Sequence, residues 1–406
     1  TGAAFDPTNA ANLPVREADT EVDTLNLSAQ AGTRFGDDLS LTFRYRYYDY
    51  DNQSPRIEFP GYVRFHSVWE AIPRITVPSA YTKQDLGAEL SWDIFQASRL
   101  GVAYRHEIWD REFREVESAD EDIFILSFDT RPIDRVNVRA SYEFGDRSID
   151  GYNAAAQGFS FLEPGEGVDN QPTLRKFAQA ARRYNQISVT ADFFPAPEWS
   201  FTVGASGRDE DYDESELGLL ADEILQYNAE LAYTPGEHLN LYLFGHRSDR
   251  DVFQRARTSG GTPSVRPLDN WELSLDEVTD TWGAGVTAHP RKRWTVDVSG
   301  NWSRSDDFAD FFAFAGGLPL AGTPVRTEAT DFDNYEDIEL LSLLSRLGFR
   351  LNERTEIGLS YRYEDYTIDS FILQGLRNYL PGALLLNADN GDYQASIVGL
   401  ELRLAF

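Results

Sequence analysis

Strict alternation of apolar and polar residues is the feature that most constrains the fold of this chain. The segment IGLSYRYE (357–364) places Ile, Leu, Tyr and Tyr at odd positions and Gly, Ser, Arg and Glu at even positions. The ending VGLELRLAF (398–406) repeats the pattern with the apolar residues at even positions. Because successive side chains of a β-strand point to opposite faces, each segment predicts a strand with one apolar and one polar face.

The alternation recurs often enough to predict one large sheet. Short connections, such as FGDDL (35–39) and LNERT (351–355), alternate with long ones, such as 52–79 and 148–178. Outer-membrane barrels have this asymmetry, with tight periplasmic turns and long extracellular loops. We therefore predict an all-β, transmembrane antiparallel up-and-down β-barrel. The fifteen predicted strands are approximately 22–35, 39–51, 80–95, 99–111, 119–130, 135–147, 179–194, 199–210, 221–234, 239–250, 271–289, 294–306, 332–351, 355–367 and 389–406.

Prolines and aromatic residues support this interpretation. Every proline from Pro7 to Pro381 falls in a predicted turn, loop or the N-terminal segment, as expected for a residue that cannot donate to a β-ladder. Aromatic residues beside the short turns predict a girdle at one membrane interface. This girdle comprises Phe35, Phe193, Trp199, Trp294, Phe349 and Phe406. A second belt, about ten residues or one bilayer crossing further along the strands, comprises Tyr47, Tyr104, Tyr212, Trp302 and Tyr363.

Composition narrows the possible functions. The chain has 406 residues, a net charge of −30, no cysteine and no methionine. The acidic balance argues against a nucleic-acid partner. Without cysteine there can be no disulfide, no thiolate metal site and no covalently attached haem, so a redox cofactor must be carried by a partner. No apolar run approaches the ~20 residues of a transmembrane helix. The missing initiator methionine leads us to expect a removed secretory signal or a longer N-terminal part.

The predicted strand count is odd, whereas bacterial single-chain barrels have an even number of strands. We expect residues 1–20 to form an N-terminal segment in an extracellular loop, and residues 21–406 to form the barrel domain. Either residues 1–20 hide one further strand, or an N-terminal portion with an odd number of crossings precedes the chain. We favour the second explanation, in which the fifteen strands belong to a larger barrel.

Two stretches of the chain, 174–219 and 357–406, resemble the MtrB/PioB family of decahaem-associated outer-membrane barrels. The family combines a basic, tyrosine-containing lead-in to a strand, a proline-containing short turn, an acidic loop and a terminal strand pair. The matching segments are Leu174–Tyr184, Pro195–Trp199, Asp209–Leu219 and Tyr361–Phe406. The match is good over about a third of the chain. Family members are longer, and the N-terminal C-x-x-C motif that some of them carry is absent.

The resemblance implies a structural role in the bacterial outer membrane. A family member of this kind is not an enzyme. It surrounds a periplasmic multihaem c-type cytochrome, insulates it from the lipid bilayer and so permits extracellular electron transfer. Haem c would be carried by that partner and not by this chain. An extracellular multihaem cytochrome is a second partner that this role allows.

The polar positions of the alternating strands identify candidate residues that face the lumen or the partner. They are Arg44, Arg46, Arg105, Arg139, Glu143, Arg346, Arg350, Arg362, Glu401 and Arg403. Strand parity alone does not distinguish contact with a cytochrome from lining of a water-filled pore, whereas the resemblance favours the cytochrome. The alternative is a general or anion-preferring diffusion porin without a cytochrome partner.

Three weaker motifs point to other chemistry. Asp209, Asp211 and Asp213 alternate as in a calcium-binding EF-hand loop, but the sixth and twelfth positions do not fit, so solvated loop charge is favoured and loop calcium stays open. The basic turn HPRKRW (289–294) could dock an acidic partner or lie near a membrane surface. His246 and Ser248 share a strand face, but residues two apart along a strand are too distant to act as base and nucleophile.

Overall fold

A computed structural model describes residues 13–64, 68–70, 72–95, 97–162, 171–257, 263–313, 330–332, 336–370 and 391–404. Long β-strands dominate these residues. They are β1 (Val22–Phe35), β2 (Leu39–Asn52), β3 (Tyr81–Phe95), β4 (Ser98–Arg111), β5 (Ser118–Ile133), β6 (Val136–Ile149), β7 (Arg182–Phe193), β8 (Trp199–Asp211), β9 (Leu217–Tyr233), β10 (Leu239–Arg257), β11 (Asn270–Arg291), β12 (Trp294–Ala313), β13 (Asp337–Asn352), β14 (Thr355–Asp369) and β15 (Tyr393–Leu404). The predicted all-β architecture is confirmed.

Each long strand pairs antiparallel with the next one in the chain, from β1 through β15. Two short strands, Leu174–Arg175 and Thr330–Phe332, join the same sheet. The β2–β3 connection contains two small hairpins, which pair Glu58–Phe59 with Arg74–Ile75 and Tyr62–Arg64 with Val68–Glu70. Within the described ranges no ladder joins β1 to β15, so the sheet is an open meander.

Short 3₁₀ turns, Ala156–Ser160 and Pro267–Asp269, are the helical elements of the described residues. None of the helices among these residues is long and apolar enough to cross a membrane.

The two faces of the sheet differ sharply. Cross-strand register places Leu90, Val102 and Leu126 in one row, and these side chains are 40%, 50% and 48% exposed. On the edge strand β15, Leu400 is 82% exposed. A water-soluble sandwich would bury such a face, whereas a transmembrane barrel turns it towards lipid. The apolar positions of the strands therefore form the outward face of the sheet, which we call the apolar face. We call the opposite side the polar face.

Aromatic side chains border the apolar face. The rings of Trp199 and Tyr233 lie 4.3 Å apart, and those of Trp294 and Phe349 lie 4.7 Å apart, beside the short turns. Phe35 and Phe193 are exposed at the same end of their strands, and Phe406 lies outside the described residues.

Charged residues follow directly after the second aromatic belt. On the apolar face, Tyr104 is followed by His106 and donates a hydrogen bond of 2.5 Å to Asp122. Trp302 is followed by Arg304 and donates to Glu339 at 2.7 Å. Charged residues thus begin directly beyond the aromatic ring, as expected where lipid gives way to water. Tyr212 does not belong to this belt, because it is 2% exposed and lies in the β8–β9 connection.

The strands continue beyond their predicted ends at the long connections. β10 reaches Arg257 and β12 reaches Ala313, where the sequence pattern predicts ends near 250 and 306. The β8–β9 connection has only residues 212–216, so the predicted alternation of short and long connections is not strict there. Alternation of polarity weakens above the membrane because both faces meet water, which explains these errors.

Two prolines contradict the prediction that all prolines lie outside strands. Pro132 lies near the end of β5, and Pro290 lies near the end of β11. Both lie where the ladder register breaks, between Thr130 and Ile133 and between Ala288 and Arg291. A bulge frees the backbone from the ladder and therefore tolerates a residue without an N–H group.

Candidate partner-binding face

The polar face carries all ten residues that the sequence predicts to face a lumen or partner. Each has the parity opposite to that of the apolar face of its strand, and the exposed Leu344 and Ile397 share the polar parity of β13 and β15. The register also determines which of these side chains meet, and this could not be read from the sequence.

Arg346 is the centre of the strongest ion-pair group near the short turns. Its guanidinium lies 2.5 Å from Glu356, 3.0 Å from Glu401 and 3.9 Å from Asp297. Only 15% of its side chain is exposed. Arg403 lies 3.6 Å from the same Glu401. Four strands, β12 to β15, thus share one network of charge-assisted hydrogen bonds.

Most other predicted residues of this face also have partners of opposite charge. The ion pairs are Arg44–Glu89 at 3.4 Å, Arg105–Glu107 at 3.3 Å, Arg139–Asp192 at 3.0 Å and Arg362–Glu364 at 2.5 Å. Glu143 accepts a hydrogen bond of 2.5 Å from Tyr184. Among the described residues, Arg46 and Arg350 form no ion pair within 4 Å. Most of these arginines are therefore neutralised by neighbouring carboxylates, and the face is not a ladder of free cations.

A buried polar cluster at the long-connection end of β5–β8 was not predicted. Arg182 contacts Glu121 at 3.0 Å and Glu210 at 3.1 Å, and Tyr212 donates to the other oxygen of Glu210 at 2.8 Å. Arg208 lies 2.5 Å from Glu210. Because Glu210 accepts from three donors and Arg182 joins it to Glu121, the cluster rigidifies this end of the sheet. Arg182 is 28 positions from Glu210 and 61 positions from Glu121 in the chain, and no local pattern predicts these two contacts.

The β6–β7 connection folds back onto this cluster. Arg147, on the polar face of β6, donates to the carbonyl oxygens of Ala180 at 2.7 Å and Phe177 at 2.8 Å. The Gln179 side chain donates to Glu115 at 2.9 Å, and Lys176 forms an ion pair with the same carboxylate. Residues 176–181 therefore lie across the polar face at the rim of the sheet.

One glycine permits the connection to reach β9. Leu174–Arg175 pairs in parallel with Leu217–Gly218 at the start of β9. Gly218 has a φ of +120°, and a Cβ atom there would lie 2.4 Å from the carbonyl oxygen of Arg175. Only glycine provides both this backbone conformation and this close approach.

Two groups in the connections at the rim have shifted pKa values. Burial opposes ionisation of Glu115, but hydrogen bonds from Lys176 and Gln179 outweigh burial and lower its pKa. Burial, together with the hydrogen bond to Glu210, raises the pKa of Tyr212 to about 12. Both groups are therefore held in their usual neutral-pH states, Glu115 charged and Tyr212 protonated.

The structure adds little support for the three weaker sequence motifs. No group of three His, Cys, Asp or Glu side chains among the described residues is arranged to hold a metal ion. Asp213 instead lies 3.7 Å from Arg183. His246 and Ser248 both lie on the polar face of β10, without a hydrogen bond between them. In the basic turn, His289 shares a 3.3 Å hydrogen bond with Thr295.

The whole chain matches a known family. The family described as "Putative outer membrane beta-barrel porin, MtrB/PioB" matches residues 3–406. The chain belongs to this family. The resemblance seen in two stretches of the sequence is thereby confirmed, and the match extends it to nearly the full length. As a member of the MtrB/PioB family, the protein is an outer-membrane, porin-like β-barrel.

A curated relative agrees with this family. "Outer membrane protein MtrB" of Shewanella baltica (strain OS185) is 22% identical over 380 residues, which are 89% of this chain and 52% of that protein. The chain therefore spans about half the length of this curated relative. Among solved structures, the FrpB iron transporter from Neisseria meningitidis (F5-1 variant) has a TM-score of 0.42 at 11% identity, covering 94% of this chain and 66% of that chain. The copper transporter OprC has a TM-score of 0.41 at 11% identity, covering 87% and 62%.

Proposed function

We propose that this MtrB/PioB barrel sheathes a multihaem c-type cytochrome and insulates it from lipid, so that electrons can cross the outer membrane. The chain itself has no cysteine to attach haem c, so the haems would belong to a periplasmic cytochrome held inside the barrel. In this role the barrel is a structural component and not an enzyme. An extracellular multihaem cytochrome would receive or supply the electrons.

The observation that carries the proposal is the pairing of charges on the polar face. Arg346, Arg139 and Arg105 each have a carboxylate partner on the wall itself. Such a wall offers hydrogen-bonding groups to a protein surface without a strong field of one sign. The apolar face would turn towards hydrocarbon, and β2 to β14 pair with a neighbour on both sides, which satisfies their backbone polar groups as the bilayer core requires.

A general diffusion porin is the second candidate. Arg44 and Arg139 keep 63% and 61% of their side chains exposed, as residues that line water would. The same ion pairs argue against anion preference, since each of these cations is balanced by an acid a few ångströms away.

Purification of the full-length protein in mild detergent would separate the two functions. For a sheath, we expect a haem-staining c-type cytochrome to remain bound in a constant ratio. We also expect the conductance of the reconstituted barrel to rise when the cytochrome is stripped away. Recovery of a haem-free barrel whose conductance is high from the start would contradict the sheath and support the porin.

A further inference from the structure

Six side chains form one compact block on the polar face of β2, β3 and β4, at the end of the strands that leads into the long connections. They are Tyr48, Lys83 and Trp109 in one cross-strand row, and Tyr50, Tyr81 and Arg111 in the next row. We call this group the cation–aromatic block. No other place on the described polar face brings four aromatic rings together in adjacent rows.

The rings of the block are in contact. Tyr81 is the central ring, with centroids 5.4 Å from Tyr50, 5.8 Å from Tyr48 and 5.7 Å from Trp109. Both cations of the block lie over Trp109, with Lys83 and Arg111 each 4.6 Å from its centroid. These contacts hold the side chains in place before any ligand arrives, so little conformational entropy would be lost on binding.

Arg111 of the block lacks the carboxylate partner that most arginines of the polar face have. Lys83 is balanced by Glu107 at 2.9 Å, but Arg111 has no carboxylate within 4 Å among the described residues. One terminal nitrogen of Arg111, Nη1, is buried without any hydrogen-bond partner in that part of the chain. Arg46, one row below Lys83, also forms no ion pair there. A buried guanidinium nitrogen without an acceptor is costly, so Nη1 of Arg111 gains from an acceptor that a bound partner supplies.

We propose that the cation–aromatic block is the docking site for an acidic segment of the protein held inside the barrel. This inference rests on the proposed function and adds the position and the chemistry of one anchor. Tyr, Trp and Arg are the residue types that dominate binding hot spots between proteins. The unpaired guanidinium of Arg111 selects a carboxylate, although the chain as a whole has a net charge of −30 and would repel acidic surfaces elsewhere.

Site-specific photo-crosslinking in the full-length protein tests this position. A benzophenone amino acid would replace Tyr81 in the block, Tyr47 on the apolar face at a similar height, and Ser299 on the polar face of β12. We expect the Tyr81 position to yield a crosslinked, haem-staining protein, and mass spectrometry to place the crosslink in an acidic segment. We expect no such product from the Tyr47 position.

The other outcomes separate the inference from the proposed function. A haem-staining product from Ser299 but not from Tyr81, or a product from Tyr81 that contains polysaccharide instead of protein, would overturn the docking site and leave the sheath intact. A lack of haem-staining products at both polar-face positions would overturn the docking site and the sheath together.

A charge variant provides an independent measurement. Arg111→Gln keeps the size of the side chain similar but removes its charge, and it should lower the fraction of cytochrome retained at 150 mM salt about tenfold. The matched control is Arg250→Gln, a polar-face arginine near the long connections of β10 that is paired with Asp222 at 2.6 Å. Heat-modifiable migration on gels would verify folding of both variants. Equal retention in the two variants would contradict the inference.

Discussion

A single arginine placed on either face of β12 would test the assignment of the two faces. Trp294 and Trp302 border the apolar face of this strand, and the eight-residue interval between them spans about 27 Å along the strand. Val298 lies midway, between Val286 on β11 and Ser345 on β13. Val298→Arg would place a guanidinium near the middle of the hydrocarbon layer. Arginine at that depth on the lipid face of a barrel costs about 2–4 kcal/mol.

The neighbouring residue provides the control. Ser299 differs from Val298 by one position in the chain but belongs to the polar face, beside Gly285 and Leu344. Ser299→Arg should change stability by less than ~0.5 kcal/mol, because the guanidinium can remain hydrated.

The free energy of folding into lipid vesicles, measured by urea titration, would compare the two variants. A cost of 2–4 kcal/mol lowers the folding equilibrium constant roughly 30-fold to 800-fold. If Ser299→Arg destabilised the barrel more than Val298→Arg did, the faces would be inverted and the reasoning refuted.

Two further predictions concern the rim. Gly218→Ala should release Leu174–Arg175 from β9, because the new Cβ would meet the carbonyl of Arg175 in a strained backbone conformation that costs about 1–3 kcal/mol. Proteolysis within 171–181 should accelerate, whereas Gly207→Ala, which meets only ordinary contacts, should leave the rate unchanged. The Glu115 ion pair predicts a pH dependence: since the folded pKa lies below the usual value of 4.5, its stabilisation is complete above that value and is lost as the pH falls through the lowered pKa. The protection of residues 176–181 against hydrogen exchange, relative to the intrinsic rate at each pH, should therefore fall as the pH drops through the lowered pKa, and it should already be low at pH 7 in Glu115→Gln. Protection that does not change with pH would contradict this.

The local sequence determined the long strands of the described residues and their two faces. Successive side chains of an extended backbone must alternate sides, so residues such as Arg44 and Arg346 could be assigned to the polar face from parity alone. The alternation is clear within the membrane because hydrocarbon excludes charged residues from one face only. Beyond the membrane both faces meet water, so the predicted ends of β10 and β12 fall short of the observed ones.

Only the tertiary structure decided which side chains meet. Arg346 contacts Glu401 from a strand 55 positions away, and Tyr212 is buried within a cluster that also draws residues from β5 and β7. The cation–aromatic block likewise depends on the register of β2, β3 and β4. The face on which a side chain lies is set by the geometry of an extended backbone, which is local. The register between strands and the folding of long connections depend on contacts between distant segments. Sequence pattern alone therefore cannot specify them.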